Sequence, residues 1–148
     1  MKFYDFITLA FSFIAIIFSI ITFIQNVIHD KRADTLNAFN ILQEQCFDKL
    51  NLFSPSEIKE ICKNRKSDKY KILSGYLARL EHFCVGVNNG IYDKKTVYEL
   101  AHGYLDSDVI FERISPIIQT KNTNEDYFKN THKLLDYMKK MTTCSGFN

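Results

Sequence analysis

An uncharged apolar run from Phe6 to Ile24 constrains this 148-residue chain more than any other feature. A membrane hydrocarbon core of about 30 Å requires about 20 apolar residues in a helix, and the run has that length. A helix in a soluble protein is rarely apolar on every side over such a distance. The run therefore predicts one transmembrane helix, which we place within residues 1–28.

A secretory signal peptide is also apolar and N-terminal, but its flanks differ from those of this chain. Such a peptide has a basic start, an apolar stretch of about 7–15 residues and a small-residue cleavage site. Here Lys2 is offset by Asp5, and residues 25–28 contain no Ala-x-Ala site. We therefore expect the apolar run to be retained as an anchor.

The charges at the two ends of the run predict its orientation. Lys31 and Arg32 follow the run, whereas the charges of Lys2 and Asp5 cancel before it. The positive-inside rule then places the C-terminal part in the cytoplasm. In that reducing compartment we expect four free thiols rather than disulfides, namely Cys46, Cys62, Cys84 and Cys144.

The remainder of the chain has the pattern of an all-α protein. No Pro or Gly interrupts residues 6–52, so the transmembrane helix is expected to continue through a juxtamembrane helix at residues 29–53. One face of that helix is apolar: Leu36, Phe39, Leu42, Cys46, Phe47 and Leu50. This face is expected either to take part in assembly or to pack against its own domain.

Capping signals divide residues 54–141 into short helices that form one domain, followed by a tail at residues 142–148. Helix starts are indicated by a capping box from Ser54 to Glu57, by the caps Asp93 and Ser107, and by a second capping box from Thr123 to Asp126. A helix end is indicated at Gly90 and a break at Pro116. No segment alternates with a period of two. The fold class is therefore predicted as all-α, with one N-terminal transmembrane helix continuing into a small cytosolic helical domain.

The segment Tyr76–Ile118 resembles a bacterial family of small membrane-anchored proteins that is described only as a domain of unknown function. The shared positions are Leu80, Phe83, Gly90, Asp93, Val97, Tyr98, Glu99 and Pro116. These positions are mostly helix caps and core residues. The resemblance implies a bacterial cell membrane and a helical fold, and it transfers no catalytic residue.

Residues suited to catalysis do not converge in the sequence. The histidines are scattered, and the pairs Glu81–His82 and Glu99–His102 are interpreted as polar pairs on helix surfaces. No nucleophile elbow, phosphate-binding loop or nucleotide fingerprint is present. The expectation is a protein that is not an enzyme and has no cofactor or metal.

Small and polar residues inside the apolar run follow one another at steps of three and four. They are Asp5, Thr8, Ser12, Ala15, Ser19, Thr22 and Asn26, and we call them the polar stripe. Such a stripe allows helices to approach closely in a bilayer, so it predicts a homo-oligomer. The stripe either forms a packed dimer or trimer interface, or it lines a pore of four or five helices with Asp5 as a cation-attracting ring. A monomeric anchor is the third alternative.

Basic residues of the domain are candidates for contact with lipid or with a ligand. They are Lys63, Arg65, Lys66, Lys69, Lys71, Lys94 and Lys95. Lysines and arginines near a membrane most often contact anionic lipid or are simply solvated. In an oligomer they could also hold a nucleotide or a short nucleic acid through its phosphates.

The sequence favours a homo-oligomeric membrane effector, a cation-conducting channel gated through its cytosolic helical domain. Its architecture is similar to membrane channel effectors of anti-phage systems of the Hailong type. That similarity implies a nucleotide-polymerase partner that makes a DNA ligand for the channel. The alternative is a non-conducting, membrane-anchored adaptor or scaffold that recruits a partner protein.

Overall fold

One long helix organises the chain. The computed structural model describes the backbone of residues 3–105, 113–117 and 128–145, and side chains within residues 4–101, 113–117 and 128–141 except those of residues 5 and 6. Helix α1 (Phe3–Leu42) continues through a π-helical turn (Gln43–Phe47) into α2 (Asp48–Leu50). In the described residues this helix alone is long and apolar enough to cross a membrane, and none of its most apolar window is buried in the molecule.

Short helices complete the domain. They are α3 (Pro55–Lys63), α4 (Asp68–Asn88), α5 (Lys94–Leu105), α6 (residues 113–117) and α7 (Lys129–Ser145). The described residues contain no strand. The prediction of an all-α chain in which the long apolar helix runs on into a helical domain is therefore confirmed.

Three local signals place helix ends where the sequence predicted them. At the start of α3, the Ser54 backbone N–H donates to Glu57 Oε2 at 2.7 Å, and the Glu57 N–H donates back to Ser54 Oγ at 3.3 Å. At the start of α5, Asp93 Oδ1 accepts the Thr96 N–H at 2.8 Å. After α4, Gly90 adopts a φ of +76°, which only glycine reaches without strain.

Other predicted boundaries are wrong or lie outside the described residues. Ser107 and the capping box from Thr123 to Asp126 belong to residues that the structure does not describe. Helix α7 begins at Lys129, so that box does not start it, and it continues past the predicted end of the domain to Ser145. Residues 113–117 are helical and include Pro116, so within the described residues no break occurs before this proline.

The apolar face of the juxtamembrane helix packs against its own domain. Five of its six residues are buried there: Phe39, Leu42, Cys46, Phe47 and Leu50. The Phe39 ring lies 6.2 Å from that of Phe47 and 6.1 Å from that of Phe83 on α4. Leu36, nearer the apolar run, is 47% exposed. Of the two expectations for this face, packing within the chain is the one observed.

Helix α4 runs antiparallel to the juxtamembrane part of α1. The backbone N–H of Asp93, just after α4, donates to Thr35 Oγ1, and Arg79 within α4 donates to Gln45 Oε1 at 2.9 Å. The C-terminal end of α4 therefore lies nearest the apolar run. At 1.5 Å per residue, the segment from Asn26 to Leu50 is about 36 Å long, so the start of α4 lies far from the apolar run.

Candidate functional site

The polar stripe lies on the exposed part of α1. Six of its members have exposed side chains: Thr8, Ser12, Ala15, Ser19, Thr22 and Asn26. Asp5 belongs to the same helix, and its side chain is outside the described ones. No residue of the domain that the structure describes covers the stripe, so the stripe can meet lipid or another helix.

Hydroxyls of the stripe donate within their own helix. Thr8 Oγ1 donates to the carbonyl of Tyr4, Ser12 Oγ to that of Thr8, and Thr22 Oγ1 to that of Phe18, each at 2.9 Å. A hydroxyl in hydrocarbon must find an acceptor, and a carbonyl one turn earlier supplies it. These three hydroxyls therefore need neither water nor a partner chain to satisfy their donors, while their oxygens remain available as acceptors.

The domain covers the face of α1 that is opposite the polar stripe. An α-helix turns by about 100° per residue, so Thr35, Phe39 and Leu42 point about 180° away from the mean direction of the stripe. These three residues are buried. Beyond the apolar run, three exposed residues of α1 point in the same direction as the stripe: Ala33, Asn37 and Asn40. Among the described residues, the domain leaves this face exposed along α1 and borders it only at Ala33, beside the start of α5.

A buried hydroxyl joins α1 to the start of α5. Thr35 is fully buried; its Oγ1 donates to the carbonyl of Lys31 at 2.6 Å and accepts the Asp93 N–H at 2.9 Å. Hydrogen bonds from Thr96 lower the pKa of Asp93 below its ordinary value, and the nearby charges of Arg32 and Lys31 lower it further. The residues that follow the apolar run are therefore in direct contact with the domain.

A carboxylate of α4 caps the start of α7. Glu81 accepts four hydrogen bonds of 2.7–2.9 Å, from the backbone and side chain of Asn130 and of Thr131. Partial burial raises the pKa of Glu81, but these hydrogen bonds outweigh it, so the pKa is lowered overall. Asn88 adds a bond from Nδ2 to the Asn130 carbonyl at 3.0 Å. The carboxylate thus satisfies N–H groups that the first turn of a helix leaves unpaired.

The interpretation of Glu81 as half of a surface pair with His82 is therefore wrong. Its role depends on Thr131, which is 50 residues away in the chain. No Ser, Thr, Asp or Asn directly precedes Lys129, so the sequence offers no local cap at the observed start of α7. For the second pair, Glu99 lies 3.9 Å from Lys95, and the side chain of His102 is outside the described ones.

The predicted basic residues form two groups at opposite ends of α4. The distal basic cluster comprises Lys63, Arg65, Lys66, Lys69 and Lys71, and the proximal basic pair comprises Lys94 and Lys95. Helix α4 has 21 residues, so its ends lie about 30 Å apart. The two groups cannot form one binding site, and only the proximal pair lies near the end of the apolar run.

Several of these basic side chains already have neighbours that offset their charge. The contacts are Lys63 with Glu60, Lys71 with Asp68 at 2.9 Å, Lys95 with Glu99 at 3.9 Å, and Lys94 above the Tyr137 ring at 5.7 Å. The lysines of the three ion pairs are largely exposed. Exposed pairs of this kind are weak and can exchange partners.

Thiols and metal ligands offer no reactive centre in the part of the chain that the structure describes. Cys46, Cys62 and Cys84 are free. Burial raises the pKa of both Cys46 and Cys84 to about 12, so these thiols are protonated at neutral pH. No three His, Cys, Asp or Glu side chains among the described residues group as metal ligands would. The side chain of Cys144 is outside the described ones.

Comparison with known proteins gives one match. The family model for a domain of unknown function, DUF4760, matches residues 8–138 and thus covers both the apolar run and the helical domain. No match was found among curated proteins or among solved structures. The similarity to anti-phage channel effectors stays a hypothesis. The family model covers most of the length of this chain, and the chain therefore belongs to the DUF4760 family.

Proposed function

We propose that this chain is a membrane effector that self-associates through the polar stripe and conducts cations in the assembled state. The observation that carries the proposal is the placement of the domain on the opposite face of α1. Thr35, Phe39 and Leu42 are buried under the domain, whereas Thr8, Ser19 and Asn26 face away from it. Identical helices can therefore meet along the stripe without a clash between their domains.

Self-association is tested by substitutions on and off the stripe. Leucine at both Ser12 and Ser19 removes the close approach and the hydroxyls, so the assembly is expected to weaken or rearrange. Ile16→Leu with Phe18→Leu is the matched control on other faces of the same helix. The readout is the number of subunits in detergent and in lipid nanodiscs. Equal effects of the two double variants would contradict the proposal.

Conduction follows if four or more helices surround an axis. Rotational symmetry then brings one Asp5 per subunit to the same depth, and a carboxylate ring at a narrow mouth attracts cations. The test is the reversal potential across a salt gradient in a planar bilayer. We expect cation preference in the native protein and a weaker preference in Asp5→Asn. Anion preference in the native protein would refute the proposal, and an unchanged variant would exclude a role for Asp5.

A non-conducting adaptor is the second candidate, and the hydrogen bonds of the stripe favour it. Thr8, Ser12 and Thr22 donate to carbonyls of their own helix, so a dry helix interface satisfies them as well as a pore does. In this case the exposed helices of the domain recruit a protein. The subunit number decides between the two candidates, because a dimer has no axial pore, whereas a tetramer or pentamer can enclose one.

The orientation proposed here places the domain in the cytoplasm of a bacterial cell, with α1 in the inner membrane. Lys31 and Arg32 support this side because positive residues stay in the cytoplasm. We expect a C-terminal fusion to a reporter that folds only in the cytoplasm to show activity. Activity of a C-terminal fusion to a reporter that folds only in the periplasm would show the opposite orientation.

Control of the channel is assigned to the helical domain. The contact of Thr35 with Asp93 links the end of the apolar run to α5, so a shift of α5 would act directly on α1. A nucleotide or short nucleic acid made by a nucleotide-polymerase partner is the class of ligand that the similarity to anti-phage effectors favours. Bilayer conductance with and without short oligonucleotides tests this assignment, and no change with any of them would contradict it.

A further inference from the structure

A cleft of about 420 Å³ opens between α1 and the start of α5. Its polar walls include His29 and Arg32 from α1 and Lys95 and Glu99 from α5, and Leu36 contributes an apolar surface. Charged residues of two helices therefore line one cavity. Such an arrangement differs from scattered surface lysines, because an anion in the cleft meets both helices at once.

The cleft lies at the depth of the lipid headgroups if α1 spans a membrane. Twenty helical residues cover a hydrocarbon core of about 30 Å, and the apolar run from Phe6 to Ile24 has about this length. At 1.5 Å per residue, His29 and Arg32 then follow about 8 Å and 12 Å beyond the end of the run. The headgroup layer on each side is about 5–8 Å thick, so His29 lies at its outer edge and the long Arg32 side chain can extend back to it.

The charges around the cleft leave room for an anion. Glu99 pairs with Lys95 at 3.9 Å, and the Lys95 side chain is 71% exposed, so this contact is long and weak. The carboxylate of Asp93 accepts hydrogen bonds from Thr96, although it also lies within the field of Arg32. Among the described residues, neither Arg32 nor Lys95 therefore has a short ion pair that a phosphate would have to displace.

We propose that this cleft binds the phosphate of an anionic phospholipid headgroup. The Arg32 guanidinium offers a forked pair of N–H donors that suits phosphate oxygens, and Lys95 supplies a second positive charge from α5. The hydrogen bond between Thr35 and the Asp93 N–H holds the two helices in register across the cleft. A bound lipid would thus fix the domain at a defined height against the membrane surface. The site rests on the membrane span but not on self-association or conduction.

The experiment measures lipid binding by the full chain in detergent. Short-chain phosphatidylglycerol is titrated, and the bound lipid is counted by native mass spectrometry; phosphatidylcholine of the same chain length and inorganic phosphate are titrated separately. The test variant is Arg32→Gln with Lys95→Gln. The control is Lys63→Gln with Lys71→Gln, which removes the same charge from the distal basic cluster.

We expect the native chain and the control variant to bind phosphatidylglycerol equally well. The test variant should bind it about thirtyfold more weakly, because two basic residues at an anionic surface usually contribute that much to affinity. Equal loss in test and control variants would overturn the site. Equal binding of phosphatidylcholine would overturn the preference for an anionic lipid. Displacement of the lipid by inorganic phosphate at the same concentration would show a free-phosphate site and overturn the lipid assignment. None of these results depends on the subunit number or the ion flux measured for the proposed function.

Discussion

Thr35 and Asp93 are 58 residues apart in the chain, yet the backbone N–H of Asp93 donates to the hydroxyl of Thr35 at 2.9 Å. The contact occurs where α1 leaves its exposed apolar segment and enters the core. The same hydroxyl donates to the carbonyl of Lys31 at 2.6 Å. One buried side chain therefore satisfies a main-chain group on each of two elements and sets the position of α5 against α1.

Thr35→Val should destabilise the domain by about 1–3 kcal/mol, because it keeps the side-chain shape but leaves the buried Asp93 N–H without an acceptor. Thr35→Ser keeps the hydroxyl and is the control. Thermal unfolding in detergent, followed by circular dichroism, measures the difference. A midpoint for the valine variant equal to that of the serine variant would show that the hydrogen bond adds no stability.

Glu81→Gln should weaken the docking of α7, because an amide N–H₂ replaces one of the two oxygens that face the donors of Asn130 and Thr131. The free energy of docking is expected to fall by about 1–2 kcal/mol. This is low for hydrogen bonds to a charged group, because water reaches part of the Glu81 carboxylate. Hydrogen exchange of the α7 amides reports the docking directly. Glu44→Gln, at an exposed position of the π-helical turn, is the control, and equal exchange in both variants would contradict the role of Glu81.

The same carboxylate predicts a pH dependence of stability. The pKa of Glu81 is lowered from 4.5, so its contribution is present above pH 4.5 and is lost as the pH falls through the lower folded value. The acid side of the stability profile should therefore be flatter in Glu81→Gln. Some slope remains, because the pKa values of Asp93 and Glu57 are also lowered. Acid profiles of the variant and the native chain that run parallel below pH 4.5 would contradict the assignment.

Local signals account for the features that the sequence predicted correctly. The apolar run, the Ser54 capping box and the caps at Gly90 and Asp93 each depend on residues within one or two turns, so each can be recognised in the sequence. The polar stripe belongs to the same class, since its spacing alone places it on one face. Its functional consequence, however, depends on which face of α1 the domain covers, and no local pattern specifies that.

Contacts between distant segments account for what the sequence could not predict. Thr35 looks like an ordinary helix residue until Asp93 is placed beside it, and Glu81 looks like a surface residue until α7 starts against it. The cleft at Arg32 and Lys95 likewise combines two helices. The distal basic cluster shows the opposite case: its composition indicated a membrane contact, but the antiparallel course of α4 places it away from the apolar run.

Two glycines of α4 provide a matched pair of substitutions. A Cβ on Gly86 would lie 2.5 Å from Cε2 and 2.7 Å from Cδ2 of Tyr92, whose ring stacks on Phe83 at 5.1 Å. Gly86→Ala should therefore destabilise the domain by about 1–3 kcal/mol through overpacking. A Cβ on Gly75 meets nothing within 4 Å, so Gly75→Ala should stabilise the helix by about 0.5–1 kcal/mol. Thermal unfolding of both variants gives the signs, and a stabilised Gly86→Ala would show that Tyr92 moves freely.

Cysteines introduced along the uncovered face of α1 should cross-link neighbouring subunits. Ala33 and Asn37 are exposed, point in the stripe direction and follow the apolar run in the chain; Ala33 also borders the cleft between α1 and α5. A disulfide requires a distance of about 4.4–6.8 Å between the two Cα atoms. If the helices of neighbouring subunits stay together as they leave the membrane, equivalent residues on this face come within that distance. Oxidation of membranes that contain Ala33→Cys or Asn37→Cys should therefore give several-fold more dimer on non-reducing gels than the native chain.

Lys71→Cys is the control for this experiment, because it adds an equally exposed thiol at the far end of α4. Native Cys46 and Cys84 are buried, whereas Cys62 is partly exposed, so the native chain measures the background cross-linking. Cross-linking at Lys71→Cys as strong as at Asn37→Cys would indicate random collision in the membrane. Absence of dimer at both Ala33→Cys and Asn37→Cys, combined with a multimer in nanodiscs, would mean that the helices separate below the bilayer. The association would then be confined to the polar stripe from Thr8 to Asn26.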